Sequence, residues 1–524
     1  MAKNIIVCSD GTGNTAIKGR GTNVFKMFEA IDLNGHRTNP ALDPQVAFYD
    51  DGVGTETFLP LKLLGGAFGF GLAKNVRNLY TDLVRVYDPG DRIYLFGFSR
   101  GAFTVRTLAG LLIKCGLLDR DKLPTTDAMR KAVGKAYSTY RRSYRTWLGQ
   151  LLHSHQRDLD AMQKFKQTHS LPGDIRIHFI GVWDTVDAVG GPFHTSDLIN
   201  ALFHRFKFPD RKLSDQVDWA AQALSIDEAR AAFQPVLWEA KPNIEQVWFA
   251  GVHSNVGGGY PKQGMSLVTL DWIMQKAQEH DLRILADDRL KYWEHGNVDD
   301  KMYDSRAGLG VFYRWKPRNM QRLCQQQKAA LPPSIHLTVL ERIAHGTDGY
   351  APGTLAPGAE IVFTPSNDPE QDAAVAVRAA AAKAAVDAAF AKSGSNLNKA
   401  DGTIAIGRIA YYLYVLSCLA VILAASVPAG AGSRRNLWTV LKNAGTLLYD
   451  GVTAQWSPLL AALERLVTDP KLIGTLLAGF AVSAALAYYV DHKRSLVFSR
   501  YWHDVRQDLR NALKSARSAL LAGK

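Results

Sequence analysis

The stretch YLFGFSRGAFTVRTLAG, residues 94–110, constrains the fold of this chain more than any other segment. Its apolar start predicts a strand up to Phe96, and a helical pattern follows Gly101. Residues 97–101 match G-x-S-x-G, in which Gly97 and Gly101 remove Cβ atoms that would clash in a sharp strand-to-helix turn. Such a turn lifts the hydroxyl of Ser99 above the end of the strand, where a nucleophile belongs. A tight turn with no chemical role is the alternative interpretation.

Short apolar runs alternate with helical stretches along the first half of the chain, which predicts an α/β fold with a mostly parallel sheet. A helical, basic and tyrosine-rich segment at about 120–170 interrupts this rhythm, and we interpret it as a cap insertion. It either covers the core or forms a lid that contacts substrate. The predicted strands lie at about 4–8, 46–49, 92–97, 175–183 and 246–252.

A serine hydroxyl needs a histidine base, and that base needs a carboxylate to hold its tautomer. In α/β-hydrolases the chain order is serine, acid, histidine. Downstream of Ser99, the stretch IHFIGVWDTVDAVGG places Asp184 just past an apolar strand. We therefore predict Asp184 as the acid, with Asp187 as its rival three residues further on.

The predicted base is His253, because the stretch QVWFAGVHSNVGGGY ends an apolar strand at this residue. The glycines at 257–259 predict a mobile loop that brings the imidazole over the sheet edge. A structural histidine that caps a turn is the alternative role for His253. Weaker candidates for the base are His178, His336 and His345.

Hydrolysis of an ester also requires two donors for the developing oxyanion. The backbone amide of Arg100, at the start of the predicted helix, supplies one of them. The second is expected from the loop after the first strand, SDGTGN, through the amide of Gly11 or Thr12.

The same loop raises a competing hypothesis, since GTGNTA at residues 11–16 fits the fingerprint G-x-G-x-x-[GA] of a dinucleotide-binding turn. That fingerprint requires an acidic residue at the end of a second strand about 20 residues later. Glu29 and Asp32 lie near this distance, but the spacing of apolar residues around them predicts a helix. A dinucleotide enzyme is therefore disfavoured, and no cofactor or metal is predicted. A membrane scaffold without catalysis is the third hypothesis.

The charge, the cysteines and the N-terminal segment limit which partners and which export route are expected. The 524 residues carry 62 Lys and Arg against 49 Asp and Glu, a net charge of +13 that suits an anionic partner such as a lipid surface. No motif points to nucleic acid. The four cysteines form no CxxC pair, so neither a disulfide framework nor a zinc site is predicted. The N-terminus lacks the apolar region of a signal peptide, and export by a cleaved signal is not expected.

The C-terminal part of the chain differs from the rest. Residues 409–429 and 472–490 are free of charged side chains and approach the roughly 20 residues that cross a bilayer. Buried core helices are the alternative. Residues 491–524 predict a basic amphipathic helix that lies on an anionic membrane, with both chain ends in the cytoplasm. The predicted domains are a catalytic domain 1–365, an alanine-rich linker 366–407, a membrane region 408–490 and a tail 491–524.

Four motifs in this order resemble the DUF2235 family of α/β-hydrolases, which includes the Tle1-type phospholipase effectors of the bacterial type VI secretion system. The motifs are IIVCSDGTGNT at 5–15, GFSRGAFTVRTLAG at 97–110, GVWDTVDAVG at 181–190 and WFAGVHSNVGGGY at 248–260; the resemblance extends over residues 3–350, with IHLTVLERI at 335–343. It implies hydrolysis of lipid esters by Ser99 as nucleophile, Asp184 as acid and His253 as base.

The charge-free segments, the basic tail and the resemblance together predict where the protein acts. A phospholipid membrane is the expected partner, joined by a secretion-apparatus component and an immunity protein if the chain is a toxin. The expected location is the bacterial inner membrane or, after delivery, the envelope of a target cell. The apolar stretch at 58–73 is either a packed segment or part of the access route for acyl chains.

Overall fold

A computed structural model describes residues 2–11, 21–51, 66–142, 155–187, 211–353, 355–366, 368–393, 399–400, 402–425 and 470–522, with a few isolated positions between 397 and 446. Within them, one parallel sheet of eight strands runs in the order β2-β1-β3-β4-β5-β6-β7-β8. The strands are β1 Asn4–Ser9, β2 Gln45–Asp50, β3 Arg92–Phe98, β4 Ile177–Trp183, β5 Val217–Ser225, β6 Ile244–Phe249, β7 Ser334–His336 and β8 Glu360–Val362.

The predicted α/β fold is confirmed, and every strand pair of this sheet is parallel. Helices connect the strands and cover both faces of the sheet, as parallel sheets require. The helices are α1 Asn23–Glu29, α2 Gly35–Thr38, α3 Gly66–Val86, α4 Arg100–Cys115, α5 Thr126–Arg142, α6 His155–His169, α7 His253–Gly257, α8 Gly264–Gln278, α9 Ala286–His295, α10 Met320–Gln327, α11 Leu337–His345, α12 Pro369–Ser393, α13 Thr403–Ala425 and α14 Pro470–Ala522.

Alternate residues of the central strands enter two different cores. Ile93 and Leu95 of β3 pack with α3, α4, α5 and α6 on one face of the sheet. Tyr94 and Phe96 of the same strand pack with α1 and α8 on the other face. Because both faces are buried, these strands are continuous apolar runs, which is why the sequence marks them clearly.

The strand order predicts a crevice at the carboxyl ends of β1 and β3. Strand β1 lies between β2 and β3, so the chain leaves β1 in one direction and returns past it to begin β3. In open parallel sheets, ligands bind at such a reversal, beyond the carboxyl ends of the strands. Ser99 follows β3 and Asp10 follows β1, so both border this crevice.

The described part of the insertion at 120–170 consists of α5 and α6, which pack on α4. Val133 and Tyr140 of α5 and Phe165 of α6 are buried in the same core as β1 and β3. These helices therefore cover the core, which is the first of the two roles that the sequence allowed. Residues 143–154, between the two helices, lie outside the described residues.

Two C-terminal helices, α13 and α14, are long and apolar enough to cross a membrane, by length and composition only. Ala410 lies beside Ser483, whose hydroxyl donates to its carbonyl over 2.8 Å, and Ser417 lies beside Gly479. The two helices are therefore antiparallel. Residues 426–429 of the first predicted span, like residues 58–65 of the apolar stretch 58–73, lie outside the described residues.

The tail does not form a separate helix, because α14 runs without interruption for 53 residues from the apolar segment into the basic one. The apolar face predicted to lie on a membrane packs instead against α11 and α12. Trp502 is fully buried, and its indole Nε1 donates to Pro352 O over 2.6 Å. Arg506 and Arg510 donate to the last carbonyls of α11, which stabilises that helix end. Alanines of α12 complete this core.

Candidate active site

The serine of the G-x-S-x-G motif stands on a strained turn between β3 and α4. Its backbone has φ 59° and ψ −119°, a conformation that costs on the order of 1–3 kcal/mol for a residue with a side chain. A Cβ on Gly97 would meet the backbone of Ala102 at 2.7 Å, and one on Gly101 would meet Ser9 O at 2.0 Å. Gly97 is therefore required for the turn to pack against the start of α4, and Gly101 is required for it to pack against β1.

Three side chains predicted from the sequence form one hydrogen-bonded chain at the carboxyl edge of the sheet. Ser99 Oγ lies 2.7 Å from His253 Nε2, and His253 Nδ1 lies 2.6 Å from Asp184 Oδ2. The residues come from the ends of β3, β6 and β4, and all three are buried. This geometry allows His253 to accept a proton from Ser99 while Asp184 fixes the imidazole tautomer.

The rival residues have other surroundings. The hydrogen-bond partner of His253 Nδ1 is the carboxylate of Asp184 and not that of Asp187. His178 lies 3.1 Å from Asp218, His336 lies at the start of α11 against Thr338, and His345 contacts Asp299 near the surface.

The glycines after His253 have a different role from the predicted mobile loop. Residues 253–257 form the short helix α7, and Gly258 ends it with φ 87°. A Cβ on Gly257 would lie 2.0 Å from the ring of Phe98. The ring of Phe98 in turn lies 4.6 Å from the imidazole of His253. These glycines therefore permit close packing around the histidine, and flexibility is not what they provide.

A buried arginine holds the carboxylate of Asp184. Arg318 Nη1 lies 2.6 Å from Asp184 Oδ1, and Arg318 Nη2 lies 2.9 Å from Asp184 Oδ2. Ser225 adds its backbone amide and its hydroxyl to the same carboxylate, at 3.0 and 3.2 Å. With His253 and Arg318 on its two oxygens, Asp184 has one available orientation. The sequence carries no signal for Arg318, which lies in the irregular segment before α10.

A second buried carboxylate, Glu228, supports the histidine from the end of β5. It accepts the backbone amide of His253 over 3.3 Å and the hydroxyl of Ser305 over 3.0 Å. Arg230 neutralises it through two contacts of 2.8 Å, and the Arg230 guanidinium lies 3.6 Å from the ring centre of Phe233. Phe233 packs edge-on against His253, so the Glu228–Arg230 pair supports the ring that covers one side of the imidazole.

The charges of the site follow from burial and from these partners. Burial alone would raise the pKa of Asp184, but the Arg318 guanidinium and then His253 oppose it and hold the pKa well below its usual range. Burial lowers the pKa of His253, and the hydrogen bond that the imidazole donates to Asp184 does not fully offset this. At neutral pH the site therefore contains an ionised Asp184 and a neutral His253, which is the protonation state that a general base requires.

This protonation state predicts the acid limb of the pH profile. A base must be unprotonated, and kcat/KM reports the free protein, so kcat/KM should fall only as pH drops through the lowered pKa of His253. The half-maximal value is expected below pH 6.5, the usual pKa of histidine. The measurement uses an uncharged water-soluble ester between about pH 5 and 8, so that lipid ionisation does not contribute. A midpoint at or above 6.5 would contradict this assignment.

The predicted oxyanion donors are only partly described. Arg100 begins α4, so its amide belongs to the helix N-terminus that follows Ser99. The backbone amide of Gly11 donates a hydrogen bond of 2.5 Å to Asp10 Oδ1, so in this structure that amide is already engaged by a carboxylate. Asp10 also accepts the hydroxyls of Thr22 and Tyr49, each over 2.6 Å, and thereby organises the loop after β1. Thr12 lies outside the described residues.

The strained serine above a parallel sheet, hydrogen-bonded through histidine to a buried aspartate, is an arrangement found in serine hydrolases as a class. Comparison with known families agrees with this class. Residues 3–276 match the family described as "T6SS, Phospholipase effector Tle1-like, catalytic domain". The chain belongs to this family, and the resemblance seen in the sequence is confirmed.

Individual relatives are distant. The "Uncharacterized protein YEL023C" of Saccharomyces cerevisiae is 28% identical over 260 residues, which is 47% of this chain and 34% of that protein. This chain therefore spans about a third of the length of that relative.

Two solved structures show a distant similarity to this chain. One is titled "Structure of the Tle1 effector bound to the VgrG spike from the Type 6 secretion system", with 16% identity, a TM-score of 0.27, and coverage of 50% of this chain and 51% of that chain. The other is an uncharacterized protein from Pseudomonas aeruginosa, with 14% identity, a TM-score of 0.29, and coverage of 98% of this chain and 66% of that chain.

Proposed function

We propose that this chain is a membrane-associated serine hydrolase that cleaves carboxylic esters of phospholipids, as phospholipases A do. The observation that carries the proposal is the hydrogen-bonded chain from Ser99 through His253 to Asp184, present in a member of a phospholipase effector family. The assignment of roles to these three residues rests on their distances, their burial and their protonation states.

In the proposed reaction, Ser99 Oγ attacks the ester carbonyl while its proton moves to His253 Nε2. The tetrahedral oxyanion is stabilised by the Arg100 amide and a second donor from the loop after β1. His253 then gives its proton to the departing lysophospholipid alcohol, and an acyl-enzyme remains on Ser99. Water attacks this ester with His253 again as base, which releases the fatty acid and restores the serine.

Membrane association is supported by the surface of α13 and α14. Within the apolar 18-residue stretch of each helix, only 17% is buried. Large side chains there, such as Leu416 and Leu477, are about 60% exposed. Exposed apolar surface of this extent marks a membrane or protein contact. We propose that residues 408–490 form the membrane region and that the basic side chains of residues 491–524 face anionic headgroups. The inner membrane of a bacterium, or the envelope of a target cell, is the proposed location.

The family name supports a role as an antibacterial effector, with a secretion-apparatus component and an immunity protein as partners. A second candidate is a lipid esterase of cellular membranes with no toxin role. The similar yeast protein favours this candidate, because the matching sequence also occurs in a eukaryote. A neighbouring gene for a small inhibitor would favour the effector.

The proposed activity is tested with vesicles of phosphatidylglycerol and phosphatidylethanolamine, from which the purified protein is expected to release fatty acid. A short-chain ester in free solution, at the same ester concentration, is the comparison substrate. Faster release from vesicles is expected, since α13 and α14 hold the protein at the lipid surface. Absence of fatty acid release from both vesicle types, together with turnover of the soluble ester, would contradict a phospholipase.

A further inference from the structure

Residues 305–318, between α9 and α10, contact both the candidate active site and the apolar helix α13, and we call them the connecting segment. All of these residues are described, and among them the structure has a 3-10 turn at Gly308–Phe312 and an isolated bridge at Trp315, but no longer helix or strand. Such a segment lacks the hydrogen-bond ladder of a helix or strand. Its conformation therefore depends on the groups that contact it.

On one side, the two ends of the connecting segment support groups of the candidate active site. Arg318, its last residue, holds both oxygens of Asp184 at 2.6 and 2.9 Å. Ser305, its first residue, donates to Glu228, the carboxylate that accepts the backbone amide of His253. The segment thus supports the acid and the base of the proposed triad at the same time.

The middle of the connecting segment lies against the same site. Two backbone hydrogen bonds of 2.7 and 2.8 Å join it to residues 229–231. The ring centre of Tyr313 lies 5.5 Å from that of Phe233, whose ring packs against His253. A displacement of the segment would therefore move the supports of both the carboxylate and the imidazole.

On the other side, three contacts join the connecting segment to the first turns of α13. The hydroxyl of Tyr411, a buried residue, donates to Phe312 O over 2.9 Å. The ring centre of Tyr414 lies 5.7 Å from that of Phe312. A Cβ on Gly407 would lie 2.7 Å from the ring of Trp315, so the backbone of α13 approaches that ring as closely as a glycine allows.

These contacts border a cavity of about 870 Å³ between the connecting segment and the helix pair. Its lining includes Val311 and Trp315 on one side and Phe480 of α14 on the other. From α14, the guanidinium of Arg494 also lies 5.2 Å from the ring centre of Trp315. Because a cavity adjoins the contacts with α13, the segment has room to move when one of them is lost, unlike a residue in a close-packed core.

We propose that Tyr411 and Gly407 of α13 are positioning residues for the proposed hydrolysis. They hold the connecting segment in place, and Arg318 at the end of this segment thereby keeps Asp184 oriented toward His253. The apolar helix α13 then takes part in catalysis, in addition to any contact with lipid. The effect on rate rests on the proposed function, whereas the hold of α13 on the connecting segment does not.

The first test replaces Tyr411 with phenylalanine, which removes only the hydroxyl that donates to Phe312 O. Its matched control is Tyr412→Phe, since Tyr412 is the exposed neighbour on the same helix. For a water-soluble ester, Tyr411→Phe is expected to lower kcat about fivefold, the usual effect of one neutral hydrogen bond. KM should stay unchanged, because the orientation of acid and base acts on the chemical step. Tyr412→Phe should keep both wild-type values.

The second test uses Gly407→Ala, with Gly474→Ala as the matched control. Both glycines lie within helices, so alanine has the same favourable effect on helix propensity at the two positions. The new Cβ meets Trp315 at residue 407, whereas no described atom lies within 4 Å of a Cβ at residue 474. A small displacement of the segment should lower kcat about tenfold in Gly407→Ala, since misplaced catalytic groups are costly. Gly474→Ala should keep the wild-type kcat.

The route through Arg318 is tested by combining variants. If Tyr411 acts by holding Arg318, Tyr411→Phe should cause no further loss of kcat in a protein that already carries Arg318→Met. A fivefold loss that persists in that background would overturn the positioning role. Equal kcat values for Tyr411→Phe and Tyr412→Phe, or for Gly407→Ala and Gly474→Ala, would overturn it as well.

Hydrogen exchange followed by mass spectrometry separates this proposal from the proposed function. Peptides from residues 305–318 should exchange faster in Tyr411→Phe and Gly407→Ala than in the two controls, while peptides from β3 stay protected and show that each variant is folded. Unchanged exchange of residues 305–318 in both variants would overturn the proposal, even in an active enzyme. If the wild type hydrolyses no ester but exchange responds as expected, the proposed function fails and the hold of α13 on the segment stands.

Discussion

Replacing Ser99 or His253 with alanine is expected to lower kcat for phospholipid hydrolysis on the order of 10⁶-fold, and combining the two replacements should cost nothing more. The reason is that nucleophile and base act as one unit. Without His253, the Ser99 hydroxyl keeps its proton, and without Ser99 the base has nothing to activate. The hydrogen bond of 2.7 Å between them predicts this complete lack of additivity.

The measurement is the initial rate of fatty acid release from phosphatidylglycerol vesicles by the two single variants and the double variant. Ser138→Ala and His345→Ala are matched controls, since both residues are exposed and their side chains contact Lys135 and Asp299, which lie outside the candidate site. These controls should keep the wild-type rate. A double variant that is much slower than either single variant would show that the two residues act independently, contrary to the account.

The second large effect is expected from Arg318→Met, which removes the guanidinium but keeps much of the side-chain volume. Asp184 would then be buried with an uncompensated charge, and breaking a buried pair in this way costs about 3–5 kcal/mol of unfolding free energy. The imidazole would also lose its fixed partner, so kcat should fall on the order of 10²-fold while KM changes little.

The pH dependence separates this role from a purely structural one. In the wild type the depressed pKa of Asp184 means that its contribution to stability is present above about pH 4 and is lost as pH falls through the folded pKa. Without Arg318, burial raises that pKa, so activity should fall at a higher pH than in the wild type. Arg322→Met, on the exposed side of α10, is the control. An unchanged acid limb in a folded Arg318→Met protein would contradict the positioning role.

The sequence predicts the part of the fold that depends on local patterns. Strands β3 and β4 are long apolar runs and β6 ends in one, and a residue of the candidate site follows each of these strands within four residues. Strand β5 was not predicted, because VDWAAQALS mixes alanines with buried polar residues and has no clear alternation. Gln222 of this strand is buried among side-chain hydrogen bonds to Thr185 and Gln246, which no local pattern shows.

Glu228 and Arg318, which support the site, were not predicted either, because their roles also depend on contacts that no local pattern shows. Glu228 follows β5, so recognising that strand would have marked it as a polar residue at the carboxyl edge of the sheet. Arg318 reaches Asp184 from a segment 134 residues further along the chain, and only the folded structure brings them together. It also lies beyond residue 276, where the match to the catalytic-domain family ends.

In the C-terminal region, the sequence pattern predicts an apolar helix face but not the surface that it contacts. Amphipathic spacing correctly identified the apolar face of residues 498–513 but not what covers it. Phe498, Trp502 and Leu509 are buried in a core shared with α11 and α12, so α14 joins the pair of apolar helices to the domain that contains the candidate site. Periodicity defines an apolar face, and the partner of that face depends on tertiary structure.

The central claim is that Ser99 is the nucleophile, and covalent labelling tests it most directly. The protein is treated with a fluorophosphonate, digested, and the modified residue is located by mass spectrometry. One label is expected, on Ser99, which disappears in Ser99→Ala and forms much more slowly in His253→Ala. Fatty acid release by a protein that carries no label on Ser99, or that retains its activity in Ser99→Ala, would contradict the account.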